Sequence, residues 1–209
     1  MKPATRYLIF KRLFDIILSL IAILLLSWLF IILIIINIPC AYGRPLYFDE
    51  RVGYKGKTIK ILKFTSMRYD AEKNAHKYLN KKQMTEWKNE RKVHNDPRIT
   101  KFGRILRRTS LDEIPQLFNI LFGQISIVGP RPIAKDELKI NYTIKEQKKL
   151  LSVKPGLTGN WAVNGRNNNE YKNHKRQLFE LEYVDKISFK TDVSIILKTV
   201  TAIFKFKGQ

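Results

Sequence analysis

Apolar and polar positions change character sharply near residue 38. Residues 16–36 read IILSLIAILLLSWLFIILIII, interrupted only by Ser19 and Ser27, whose hydroxyls can bond back to a helix backbone. At about 1.5 Å per residue the run is roughly 30 Å long, close to the thickness of a bilayer's hydrocarbon core. A buried core helix so uniformly apolar is out of keeping with so small a chain. The run also exceeds a signal-peptide h-region, and no small-residue cleavage site follows it. The pattern predicts a membrane anchor over residues 1–39, its helix ended by Asn37 and Pro39.

Beyond the anchor, residues 40–209 alternate short apolar and polar stretches, as expected of one folded domain. Leu46-Tyr47-Phe48, the turn residues 53–57 and the segment 59–64 predict a β-rich unit over 46–68. Residues 70–93 are dominated by Lys, Asn and Glu and read as a solvated helix or loop. Ile99, Phe102, Ile105 and Leu106 recur at helical spacing beside Arg104, Arg107 and Arg108. That pattern predicts helix over 98–122, broken near Thr109-Ser110, its first part a basic amphipathic segment suited to a membrane surface. Residues 137–152 read as charged helix, and the Gly- and Asn-rich stretch 155–167 as loop. A last helix over 191–206 has one apolar face, Val193, Ile196, Leu197, Val200, Ile203 and Phe204, and is a further candidate for surface docking.

Charge narrows the partners. With 39 Lys+Arg against 18 Asp+Glu the chain carries +21, a field suited to nucleic acid, an anionic membrane face or phosphorylated substrates. Cys40 is the single cysteine, so no internal disulfide framework exists and a reducing compartment is favoured. Basic residues flank the apolar run on both sides: Lys2, Arg6, Lys11 and Arg12 before it, Arg44, Arg51, Lys55 and Lys57 after it. The positive-inside rule draws both flanks to the cytoplasm, which a helix that enters and returns satisfies and a simple span does not.

The candidate chemistry centres on residues 110–119, SLDEIPQLFN. Ser110 and Glu113 are spaced as a capping box, which by itself explains the acidic residues at a helix start. The same position also suits phosphate chemistry. Asp112 would sit in a first helical turn beside Arg107 and Arg108, where a carboxylate can attack a phosphoryl group and form an acyl phosphate. Glu113 can hold a hard divalent cation or move a proton. Arg131, on the turn Gly129-Pro130-Arg131-Pro132, and Arg166, in the glycine-rich loop, are candidate phosphate ligands. His76, His94 and His174 are scattered and lack zinc-site spacing. No Walker loop or dinucleotide glycine motif is present.

Taken in order, several motifs add up. They are Lys11-Arg12-Leu13-Phe14-Asp15, Lys63-Phe64 with Ser66-Met67, Asp96-Pro97-Arg98-Ile99-Thr100, Phe102-Gly103, Arg107 with Ser110-Leu111-Asp112-Glu113, and Pro115-Gln116-Leu117-Phe118-Asn119. The series continues through residues 126–132 (SIVGPRP), 154–159 (KPGLTG) and 163–166 (VNGR) to Glu182-Tyr183-Val184. The chain resembles the bacterial sugar transferase family, the monotopic phosphoglycosyl transferases, over nearly its whole length and in minimal catalytic form. The resemblance implies a re-entrant membrane helix and a small, helix-rich α/β (α+β) catalytic domain with surface amphipathic helices, on the cytoplasmic face of the bacterial inner membrane. It implies Mg²⁺, a UDP-sugar donor and a polyprenol phosphate acceptor. It implies release of UMP through an aspartyl phospho-sugar on Asp112, with Glu113 as dyad partner and the metal held at this pair. Lys63, Arg107, Arg131 and Arg166 fall on the family's phosphate-contacting positions. The product would open a glycoconjugate pathway, with a homodimer or a complex with downstream glycosyltransferases left open. Two positions depart from the family: Ser27-Trp28 stands where Ser-Pro is usual, and Thr65 where a base commonly follows the Lys-Phe pair. A membrane-tethered nucleic-acid binder and a non-catalytic scaffold are the competing readings. The first lacks any reader motif.

Overall fold

The apolar run lies within one helix, α1 (Thr5–Cys40), in the computed structural model, which describes residues 5–71, 73–90, 93–164 and 174–204. Helical periodicity sorts the faces of α1. Asp15, Ser19, Leu33 and Asn37 are buried along one stripe, while Leu13, Ile17, Leu24, Leu25, Trp28, Ile31 and Ile35 are exposed. The helix is long and apolar enough to cross a membrane. It continues unbroken through Ser27-Trp28, and the Ser27 hydroxyl donates to the Leu24 carbonyl at 2.9 Å. Pro39 lies inside α1 rather than ending it at once. One missing N–H in a last turn is cheap, and the helix stops a residue later. The Ala41 and Gly43 amides then close the carbonyls of Asn37 and Ile38.

Both ends of α1 rest on the same domain. Near the start, Lys11 pairs with Asp192, and Arg12 donates to the carbonyls of Ile120 (2.6 Å) and Leu121 (2.8 Å). Asp15 accepts from the Ser126 hydroxyl (2.7 Å) and the Ile127 amide (3.0 Å). Near the other end, Leu33 packs with Phe64 and Leu106, and Asn37 Nδ2 donates to the carbonyls of Pro45 and Thr65, each at 3.0 Å.

The expected β unit is a hairpin of β1 (Leu46–Val52) and β2 (Thr58–Phe64), antiparallel from Leu46↔Phe64 to Val52↔Thr58. Lys55 and Gly56 turn the chain with φ of 56° and 78°. The polar segment after it holds α2 (Ala75–Tyr78) and α3 (Lys81–Glu90). It is more than a solvated surface, because Ala75, Leu79 and Val93 bury one another with Met84 and Trp87.

Next comes α4 (Lys101–Thr109), whose start is capped by Thr100 Oγ1 accepting from the Gly103 amide at 2.9 Å. A Cβ on Gly103 would lie 1.9 Å from the Ser66 carbonyl oxygen, so only glycine lets α4 sit this close to the hairpin's exit. The break expected near residues 109–110 is present, but Ser110 is no N-cap. Its φ of 58° is left-handed, it closes α4, and its side chain makes no capping bond to the 3-10 turn Leu111–Glu113. An N-cap serine needs extended backbone, so the capping-box reading of Ser110 and Glu113 fails here.

Beyond that turn runs α5 (Gln116–Leu121), then β3 (Ser126–Val128), α6 (Lys135–Asn141) and α7 (Ile144–Leu150). The stretch expected as loop instead contains β4 (Gly156–Thr158), parallel to β3, and α8 (Asn160–Asn164). Glycine explains the difference: a Cβ on Gly156 would lie 2.1 Å from the Gly129 amide nitrogen. The glycines serve strand-to-strand approach. The chain closes with α9 (Lys175–Asp185), which sequence periodicity did not reveal, and α10 (Phe189–Phe204), two residues earlier than expected. Tyr183, Val128 and Ile195 form the core beneath α10, whose Leu197 and Val200 stay exposed. Mixed short sheets with many helices and one apolar N-terminal helix give the expected α+β class.

Candidate active site

The hairpin supplies the first wall of the site. Residues opposite one another in a ladder share a face, so Tyr47, Asp49 and Arg51 of β1 point the same way as Lys63, Ile61 and Ile59 of β2. Ile59 and Ile61 fill the core against Ile120 and Ile125. The charged members gather at the edge of that core, where Asp49 Oδ2 accepts from Lys63 Nζ (3.1 Å) and Arg51 Nη2 (2.6 Å). Burial alone would raise the Asp49 pKa, but the two cations hold it below the ordinary carboxylate value. Burial lowers the pKa of Lys63, with Asp49 opposing.

The second wall is the 3-10 turn that follows α4. Its left-handed entrance at Ser110 reverses the chain and carries Asp112 and Glu113 toward Lys63. Asn119 holds the following helix in place, taking the Leu62 amide at 2.9 Å and giving Nδ2 to the Lys60 carbonyl at 2.7 Å. Arg107 is fixed by Nε donating to Ser66 Oγ at 2.8 Å. Asp112 is pushed up to about 6, first by burial and then by the adjacent Glu113, with Lys63 and Arg107 pulling the other way. Burial thus outweighs the cations beside Asp112 and favours its protonated form.

The third wall is the Gly129–Pro132 turn. The Arg131 amide donates to Glu180 Oε2 at 3.0 Å, and its guanidinium lies over the Trp161 ring at 5.5 Å. Burial and the neighbouring Arg176 lower the Arg131 pKa. Glu180, on α9 and only 1% exposed, is pushed up to about 7 by burial, which outweighs Arg176 and the Arg131 amide. Glu137 joins the same network, lying 3.7 Å from Arg51 and 3.4 Å from Arg176. Arg51, Lys63, Arg108, Glu113, Arg131 and Glu180 all line one cavity of about 330 Å³.

Most of the residues singled out from the sequence meet here. Lys63, Glu113 and Arg131 line the cavity, while Asp112 and Arg107 stand within electrostatic reach of it. Arg166 lies outside the described residues. Asp49, Arg51, Glu137, Arg176 and Glu180 were not singled out. Asp49 and Arg51 were findable, since they share the period-two face of β1 with Tyr47, whereas Glu180 carried no local signal. Other motifs hold the fold rather than the site. Asp96 and Arg98 form a buried bidentate pair, with the shortest contact 2.7 Å, and the Lys11–Asp15 motif stitches α1 down. Among the described residues no group of three or more His, Cys, Asp or Glu is placed to hold a metal.

The family described as bacterial sugar transferase matches residues 6–206. The exopolysaccharide production protein ExoY of Rhizobium meliloti is 38% identical over 201 residues, covering 95% of this chain and 87% of that protein. The undecaprenyl-phosphate galactose phosphotransferase of Salmonella typhimurium is 39% identical, over 99% of this chain and 42% of its own length. The UDP-glucose:undecaprenyl-phosphate glucose-1-phosphate transferase of Klebsiella pneumoniae is 37% identical, over 96% of this chain and 40% of its own. This chain thus spans most of the rhizobial relative and about two fifths of the other two. A family match over nearly every residue settles the kinship: the chain belongs to the bacterial sugar transferase family.

Proposed function

We propose that this sugar transferase moves a sugar-1-phosphate from a UDP-sugar to undecaprenyl phosphate and releases UMP, working at the cytoplasmic face of the bacterial inner membrane. The observation that carries the proposal is the position of the cavity. Its lining brings Glu113, the chain neighbour of Asp112, together with Lys63, Arg51 and Arg131, and also includes Ala22 and Leu26 of the apolar helix. One substrate class is soluble and the other stays in lipid, so a site between the two phases meets both.

An Asp112 carboxylate oxygen attacks the donor phosphorus that bears the sugar. The P–O bond to UMP breaks, and UMP departs with the electron pair. The phosphate oxygen of the acceptor then attacks the same phosphorus, the acyl-phosphate bond breaks, and Asp112 is regenerated as a carboxylate. Lys63, Arg107 and Arg131 would orient the diphosphate and offset its charge, with Asp49 and Glu180 holding two of them in place.

The residues present fit Mg²⁺. Asp112 and Glu113 are adjacent, half-buried carboxylates, and Mg²⁺ uses only one or two carboxylates beside phosphates and water. Asp112 and Glu113 would hold it. When bound, the ion neutralises charge that builds on the diphosphate.

The test is direct. Enzyme given donor without acceptor gains the mass of one phospho-sugar on the peptide containing Asp112, and Asp112→Asn neither gains it nor turns over. Normal turnover in the variant, with no adduct on the wild type, would sink the covalent route.

A further inference from the structure

The cavity has a second end that the phosphate chemistry leaves unused. Besides its charged residues it is lined by Ala22 and Leu26 of α1 and by Ile196, Val200 and Ala202 of α10. We propose that this seam between α1 and α10 admits the isoprenoid tail of the lipid acceptor sideways from the bilayer, so that its phosphate reaches Asp112 while the tail stays in apolar surroundings. The inference rests on the reaction proposed above and assigns the acceptor a place within it.

Three features support the seam. Among the described residues, the two helices are fastened to each other near their starts. Phe189 packs edge-on against Phe10 and Phe14, with centroids 5.8 and 6.3 Å apart, and Lys11 pairs with Asp192. From Lys11 to Ala22 is about 16 Å along a helix, and there the cavity rather than a side-chain contact lies between α1 and α10. Next, Ala22 is the single alanine in the run of residues 16–36, which otherwise consists of Ile, Leu, Phe, Trp and two serines. A Leu, Ile, Phe or Trp at position 22 would add bulk at the cavity wall. Lastly, both helices expose apolar side chains, among them Leu25 (67%) on α1 and Leu197 (63%) and the wall residue Val200 (46%) on α10. On α1, a helix of bilayer length, such positions meet acyl chains.

The chemistry of the wall favours a hydrocarbon over the donor's nucleotide. A uracil and ribose need hydrogen-bond partners, and the aliphatic residues offer none. Thr199, the polar residue of α10 at this wall, is already engaged with the Thr158 hydroxyl (2.7 Å) and the Ile195 carbonyl (2.8 Å). The charged end, where Arg51, Lys63 and Arg131 gather, is the part fit for phosphate.

Narrowing the seam tests this. In Ala22→Trp and Val200→Trp, the KM for undecaprenyl phosphate should rise at least tenfold. The KM for a two-isoprene phosphate and single-turnover UMP release without acceptor should stay within about twofold of wild type. Equal KM values for the long acceptor in folded variants would overturn the proposal. Should either variant fail to fold, a benzophenone amino acid at Leu26 or Val200 in otherwise native protein replaces it. Irradiation should crosslink undecaprenyl phosphate at these positions and not at Ile140, an exposed residue away from the seam. Crosslinking no greater than at Ile140 would overturn the seam. The crosslinking needs no turnover, so a wild type that releases no UMP from any UDP-sugar would defeat the proposed reaction while the seam is still decided separately.

Discussion

Lys63 Nζ lies 3.1 Å from Asp49 Oδ2, across the hairpin, and the same oxygen takes Arg51 at 2.6 Å. One carboxylate thus aims two cations at the cavity. The arrangement spaces them, lowers their mutual repulsion and presents them as a unit to a phosphorylated ligand.

Asp49→Asn should therefore disperse both cations without touching the proposed nucleophile. We expect kcat/KM for the UDP-sugar to fall about 10- to 100-fold, mostly in KM, which corresponds to ~1.4–2.8 kcal/mol. Steady-state UMP release measures it. A variant with native kcat/KM would mean that Lys63 and Arg51 need no such holder.

Asp112 provides a prediction about stability and pH in metal-free protein. Its pKa in the folded chain is pushed up to about 6, above an unfolded value near 3.8. The folded state then binds the proton more tightly, so this contribution to stability is full below about pH 4 and is lost as pH rises through 6. Asp112→Asn lacks that loss. Its advantage over wild type should be near zero at pH 4 and on the order of 1–2 kcal/mol at pH 7.5, allowing for partial solvent access. Thermal midpoints in nanodiscs should separate by roughly 3–6 °C at the higher pH. Parallel curves across the range would rule out a strained carboxylate pair.

Metal dependence should be complete. EDTA is expected to abolish acceptor-dependent UMP release, and added Mg²⁺ to restore it, because the donor diphosphate approaches two carboxylates at once. Undiminished turnover in EDTA would mean that Lys63, Arg107 and Arg131 suffice, and would remove the metal-holding role from Asp112 and Glu113.

Topology can be read in intact cells. Both ends of α1 bind the same domain, through Asp15 at one end and Asn37 at the other. We expect single cysteines at Lys2 and Lys57, in a Cys40→Ser background, both to resist a membrane-impermeant maleimide. Labelling at position 2 and not at 57 would establish a span with the N-terminus outside. Asp15→Ala, which removes the acceptor of the Ser126 hydroxyl and the Ile127 amide, should cost about 2–3 kcal/mol by leaving buried donors unpaired.

Whatever depends on spacing along one element was legible in the order of residues. A long apolar run needs a helix and a nonpolar medium. Alternation over 46–64 needs a hairpin, and motifs in fixed order carried the family. Features that depend on residues far apart in the chain emerged only with the packed fold. The backbone angle at Ser110 turned a capping pattern into a left-handed corner, because neighbouring packing outweighs a local preference. Gly129 and Gly156 were open to use beside a ligand or beside another strand, and only the pairing of β3 with β4 chose. Glu180 acquired its place through Arg131, 49 residues away, and Asp192 through Lys11, 181 residues away. Such contacts leave no periodic trace, since each partner obeys its own helix or strand. The cavity is their joint product: α1, the hairpin, the turn at Asp112 and α10 each contribute a wall, and none encloses it alone.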